Sequence, residues 1–276
     1  MNIKIAYSPC PNDTFIFDAL VHNKVKNSYK WDIHLADISE LNQLAFQGDY
    51  DVIKVSFHAY AYMTDEYNLL PVGSALGKGV GPLLISKEPK NIEKLSGMKV
   101  GIPGEFTTAN FLFDFAKPHP VDKQYMLFSE IEDAVLSEKI DAGVIIHENR
   151  FTYDAKGLYK IVDLGSYWEK KTNLPIPLGG IAIRKSIDSS IKEEISSLLQ
   201  QSIEYAYNNP ASVLDYVKDN AQALDVGVMQ KHIDLYVNEF TMNIGDDGKK
   251  AIDYLLEFIA GEGKIKTYDN SYMLKF

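Results

Sequence analysis

A chain of 276 residues, 46% hydrophobic and 24% charged, carries enough apolar material for one large domain or two smaller lobes. The formal net charge of -10 argues against general nucleic-acid binding, which needs clustered Lys and Arg. A single cysteine, Cys10, rules out an intramolecular disulfide and fits a reducing compartment. No run reaches the roughly 18 apolar residues of a membrane span, so no membrane partner is expected.

The opening Met-Asn-Ile-Lys-Ile-Ala-Tyr-Ser lacks a basic leader and a long apolar core. It reads as a first strand over 3–7 rather than an export signal, and a cytoplasmic protein is expected. Residues 8–13 are a turn-rich break. A helix is predicted over 14–25, with Asp13 or Asn12 as N-cap. Alternation over 31–36 predicts a second strand. A short helix follows over 39–47 and stops at Gly48, and residues 52–56 make a third strand. This β-α-β-α-β order implies a parallel sheet with helices on its faces.

Residues 73–81 are glycine-rich and lead into an apolar strand at 82–86. The polar stretch 87–94 holds Pro89 and reads as a crossover. A second α/β unit starts at 98–102, with a helix over about 107–116 and a short one over 131–138. The run Ala142-Gly-Val-Ile-Ile146 then predicts a fully buried strand that ends in His147. Residues 173–180 read as a second crossover into a strand at 181–184. From residue 190 onward the chain is mostly helical, with Ile191, Ile195, Leu198 and Leu199 on one face. The two crossovers predict a discontinuous lobe, 1–88 with 185–276, and an inserted lobe, 89–184. A ligand cleft is expected between them.

The candidate chemistry gathers where strands end. In open α/β sheets ligands bind outside the carboxyl ends of the strands, and an imidazole there, His147, can move a proton near neutral pH. A strand-end histidine that only bonds a neighbouring loop is the plainer alternative. Thr107 and Thr108 open a helix, where hydroxyls, free backbone N–H groups and the positive end of the helix dipole favour an anion. Simple N-capping explains them as well. Ser8 and Asn12 lie in the loop after the first strand. Lys54 interrupts the apolar third strand, so it is expected at an edge or paired; Val55 and Ser56 complete that strand's exit. Phe57, Tyr60, Tyr62 and Tyr67 could line a pocket or fill the core. The histidines form no H-x-x-x-H or Cys-His cluster, so no metal site is expected. No dinucleotide fingerprint, phosphate loop or nucleophile elbow is present.

Four segments resemble the 1,4-dihydroxy-6-naphthoate synthase family, in the family's order. They are Ser8-Pro-Cys-Pro-Asn-Asp-Thr-Phe-Ile-Phe17, Gly77-Lys-Gly-Val-Gly-Pro-Leu83, Ile145-Ile-His-Glu-Asn-Arg-Phe-Thr-Tyr153 and Leu174-Pro-Ile-Pro-Leu-Gly179. The resemblance implies a periplasmic-binding-protein-like (type II) fold with two α/β lobes. It implies a lyase that converts cyclic dehypoxanthine futalosine to 1,4-dihydroxy-6-naphthoate in the futalosine route to menaquinone, without a cofactor. The family's proton acceptor falls on His147, and its substrate contacts fall on Lys54, Val55, Ser56, Thr107 and Thr108. The implied partner is a small aromatic carboxylate; a homodimer stays open. A chorismate dehydratase-like sister enzyme of the same pathway and a non-catalytic small-molecule binding protein are the alternatives.

Overall fold

The computed structural model describes residues 1–221, 225–265, 267–268 and 271–275. The chain forms two compact units, 1–77 with 177–276, and 78–176. Each boundary lies before the 88 and 184 read from the sequence. The reason is strand pairing: Leu83–Ser86 belongs to the sheet of the inserted unit, and nearly all of Ile176–Arg184 to the sheet of the discontinuous one.

The first unit begins with β1 (Asn2–Tyr7), α1 (Pro11–Val21), β2 (Lys30–Leu35), α2 (Ile38–Gln47), β3 (Val52–Ser56), α3 (Phe57–Tyr60), β4 (Tyr67–Leu69) and β5 (Ala75–Gly77). α1 starts earlier than the predicted residue 14. Pro11 occupies its first turn, where a missing N–H costs nothing and a fixed φ suits the helix. Its N-cap is therefore Cys10, and Asn12 and Asp13 sit inside the first turn rather than capping it. α2 behaves as its sequence suggests. The Asp37 carboxylate accepts the Ser39 N–H at 2.8 Å, and Gly48 closes the helix at φ 75°.

The inserted unit holds β6 (Leu83–Ser86), β7 (Lys99–Ile102), α4 (Thr108–Ala116), β8 (Asp122–Tyr125), α5 (Ile131–Leu136), β9 (Ala142–Ile145), a 3-10 turn (His147–Phe151), β10 (Tyr159–Asp163) and α6 (Leu164–Thr172). The chain returns through β11 (Ile176–Arg184) and five helices, α7 (Ser189–Asn208), α8 (Pro210–Asn220), α9 (Val226–Tyr236), α10 (Glu239–Met242) and α11 (Gly245–Gly261). Among the described residues no helix is long and apolar enough to cross a membrane.

The first sheet runs β2-β1-β3-β11-β4, with β5 beside β11. β1 lies parallel to both β2 and β3, while β11 is antiparallel to β3 and β4. The second runs β10-β6-β9-β7-β8, with β7 parallel to both β8 and β9. The two sheets share one topological rule. After β1 the chain goes to β2 on one side, then returns to β3 on the other. After β7 it goes to β8 on one side, then returns to β9 on the other. Each unit therefore has a switch point at its parallel carboxyl edge, between β1 and β3 and between β7 and β9.

Each unit has its own core. In the first, Ile3 and Ile5 of β1 meet Phe15, Phe17 and Leu20 of α1 and Ile195, Leu199 and Ile203 of α7. Phe57, Tyr60 and Tyr67 are fully buried, so these aromatics are core rather than pocket lining. The chain end covers the edge of β4: Leu69 N–H donates to the Tyr272 carbonyl at 2.7 Å, and Leu274 N–H to the Leu69 carbonyl at 3.0 Å. In the second unit Leu83, Ile85 and Ile145 pack against Ile131 and Val135 of α5.

The approach of α5 to β9 depends on Gly143. A Cβ there would lie 2.3 Å from Ile131 Cγ2 and 3.2 Å from Val135 Cγ2. Both contacts are branched side chains on a packed helix, with little room to yield. Gly143→Ala is expected to cost about 1–3 kcal/mol of overpacking, measured as a lower denaturation midpoint at unchanged m-value.

Candidate functional site

The candidate polar residues and His147 fall near the two switch points, whereas the aromatics Phe57, Tyr60 and Tyr67 belong to the core. In the first unit Ser8 follows β1, and Lys54, Val55 and Ser56 end β3. In the second, Thr107 and Thr108 open the helix after β7, and His147 follows β9.

The first cluster is buried and polar. Lys54 is 4% exposed and Asp13 1%. β3 is an interior strand, so Lys54 is not at an edge; it is paired instead. Its Nζ lies 2.9 Å from Asp13 Oδ1 and donates to the Gly73 carbonyl at 3.2 Å. The same carboxylate oxygen accepts Asn12 Nδ2 at 2.8 Å, and Oδ2 accepts the Ser8 hydroxyl at 2.7 Å. Asp13 meets Lys54 from the first turn of α1, and Asn12 beside it braces the carboxylate. Asn12 Oδ1, opposite its donating amide, takes the Nε2 proton of His232 at 2.9 Å. That bond sets the His232 tautomer, with the proton on Nε2. Beside this cluster burial, then the Tyr216 hydroxyl at 2.7 Å, then Asp13 and Asp18, push the Tyr7 phenol well above its ordinary range.

Ser56 is fixed by α2. Its N–H donates to Asn42 Oδ1 at 2.9 Å, and Asn42 Nδ2 donates to its hydroxyl oxygen at 3.1 Å. Neighbouring β11 comes close because Gly179 faces Ser56 in the ladder; a Cβ there would lie 2.8 Å from the Val55 carbonyl. Val55 itself is fully buried, so only its backbone is a polar resource.

In the second cluster Thr107 caps α4. Its hydroxyl accepts the Asn110 N–H at 3.2 Å and donates to the Gly104 carbonyl at 2.8 Å. The capping role is real, and it puts Thr108 at the first helical position, where N–H groups and the dipole favour an anion. His147 stands in the left-handed region at φ 56°. This conformation costs a side-chain-bearing residue on the order of 1–3 kcal/mol and persists where the surroundings over-determine it, commonly at functional sites. The residue is partly exposed, and its ring meets the Phe128 ring edge-on at 4.9 Å between centroids. The turn after it is anchored. Arg150 Nη1 donates to the Gly81 carbonyl at 2.8 Å, and Asn149 Nδ2 to Glu132 Oε2 at 2.7 Å. Among the described residues no group of three or more His, Cys, Asp or Glu is placed to hold a metal ion.

Sequence reasoning missed Asp13 as the partner of Lys54, and also Asn42, His232 and Glu132. A lysine inside an apolar strand signals a buried partner, but nothing in the sequence says that the partner is Asp13. His232 lies 220 residues from Asn12 and has no local signal.

The family model for menaquinone biosynthesis matches residues 3–261. A 1,4-dihydroxy-6-naphthoate synthase of Streptomyces coelicolor is 43% identical over 268 residues, covering 95% of this chain and 94% of that protein. A 1,4-dihydroxy-6-naphthoate synthase of Thermus thermophilus is 40% identical, covering 91% of each. A crystal structure of an Archaeoglobus fulgidus protein is 34% identical with a TM-score of 0.90, covering 96% of this chain and 98% of that one. The periplasmic aliphatic sulphonate binding protein of Escherichia coli is 9% identical with a TM-score of 0.69, over 99% of this chain and 92% of that one. That likeness shows the periplasmic-binding-protein fold, in agreement with the sequence reading.

Proposed function

Because this chain belongs to the menaquinone biosynthesis family, we propose that it is a 1,4-dihydroxy-6-naphthoate synthase of the futalosine route, acting in the cytoplasm. In this reading it is a cofactor-independent carbon–carbon lyase that converts cyclic dehypoxanthine futalosine to 1,4-dihydroxy-6-naphthoate. The observation that carries it is the 43% identity to the Streptomyces coelicolor synthase over almost the whole of both chains.

His147 is the general base of the proposed reaction. Neutral imidazole takes a proton beside a carbonyl, the bond to the ribose-derived fragment breaks, and the new ring becomes aromatic. Aromatisation supplies the downhill drive. Ser8, Asn12, Lys54, Val55, Ser56, Thr107 and Thr108 are the substrate contacts. Lys54 already faces a carboxylate in Asp13, so the pair presents no net charge to an anion. The helix start at Thr107 and Thr108 is therefore the better receptor for the substrate carboxylate.

Mixing the purified protein with cyclic dehypoxanthine futalosine is expected to produce a naphthoate absorbance and the product mass. Substrate recovered unchanged, or loss of water from chorismate in a parallel reaction, would overturn the assignment.

A further inference from the structure

We propose that Glu132 is a positioning residue that sets the orientation of His147 through Asn149. The inference rests on His147 being the base of the proposed reaction. Glu132 stands in the second position of α5 and is 1% exposed. Its Oε2 accepts both Asn149 Nδ2 at 2.7 Å and Lys156 Nζ at 2.6 Å. Asn149 is two residues after His147, and its carbonyl accepts the N–H groups of Thr152 and Tyr153, each at 3.1 Å. One residue thus ties the turn together through its main chain and ties it to α5 through its side chain. α5 is itself seated on β9 at Gly143, against Ile131, the residue before Glu132. Since β9 delivers His147, Glu132 and His147 share a frame: strand below, helix beside, and one hydrogen bond closing the loop between them.

A purely stabilising role fits poorly. Glu132 Oε1 is buried and accepts no hydrogen bond among the described residues. The cation on Oε2 is half-exposed Lys156. A buried carboxylate with one bare oxygen and a solvated counter-ion is costly, and an apolar residue of the same size would serve stability better. What the carboxylate supplies is direction, holding a turn whose first residue has left-handed backbone.

The test uses the full chain with Glu132→Gln, Asn149→Ala and the double variant. The ring signal of His147 is identified in histidine-labelled protein by its loss in His147→Asn. That signal is expected to move in all three variants while the other five histidine signals stay. An unmoved signal overturns the inference, whatever the protein's activity. In turnover, each single variant is expected to lower kcat by about tenfold to a hundredfold, as misplacement of a catalytic group does, with KM within about twofold. The double variant is expected to be no slower than the slower single, because both break one link. Multiplicative losses, or a loss accounted for by unfolded protein alone, refute it. Wild-type protein that makes no naphthoate refutes the proposed function, and the histidine spectrum still decides the role of Glu132.

Discussion

Replacing His147 with asparagine is expected to lower turnover by about 10²–10⁴-fold, the usual contribution of a positioned general base. The fold should survive. Position 147 needs left-handed backbone, at φ 56°, and asparagine is the side chain that tolerates it best after glycine. The imidazole meets the Phe128 ring edge-on, and His147 lies outside the apolar cluster that forms the core of the second unit. Substrate affinity, measured calorimetrically, should change by no more than a few-fold, because the proposed anion receptor is the start of α4. Alanine is the poorer test, since it adds backbone strain to the lost base. The prediction separates a base from a structural histidine. A structural histidine would lower the melting temperature and leave kcat of the folded fraction near normal, and that outcome removes His147 from the mechanism.

The sequence made the layers and the strand ends legible. Val, Ile and Leu runs bounded by turn residues mark β1, β3, β6, β7 and β9, because a buried strand has few other ways to look. Where strands end, candidate residues follow, so Ser8, Ser56, Thr107 and His147 could be singled out without a structure. Side-chain partnership was less legible. Asn12 and Asp13 read as caps because caps are their commonest use, yet Pro11 moved the helix start upstream, and Asp13 pairs with Lys54 while Asn12 bonds Asp13 and His232. Strand membership was also hidden. Nothing in the composition of 83–86 says that it pairs with β9 and β10, since pairing partners are set by tertiary closure. The left-handed backbone of His147 has no signature either: no glycine marks it, and the residues that accept the turn's anchoring hydrogen bonds lie far back in the chain, Gly81 for Arg150 and Glu132 for Asn149.

Lys54→Ala is expected to destabilise the first unit by about 3–5 kcal/mol, because it leaves the Asp13 carboxylate buried and without its cation. Asp13 could not easily escape the loss. It is held by Ser8 and Asn12 inside the first turn of α1, where rotation into water would break both bonds. Much of the cost is thus the penalty of one orphaned charge, not the net worth of the pair. A double substitution discriminates between these. Lys54→Met with Asp13→Leu removes both charges and keeps apolar volume, so it should be less destabilised than Lys54→Ala despite carrying two changes. Two units make a global melt ambiguous. Native-state hydrogen exchange resolves it, with protection lost in the amides of β1, β3 and α1 and retained in β7 and β9. If the double variant proves the less stable of the two, the burial of this pair is itself stabilising, and the polar floor at the β1–β3 switch point owes its place to the fold rather than to a ligand.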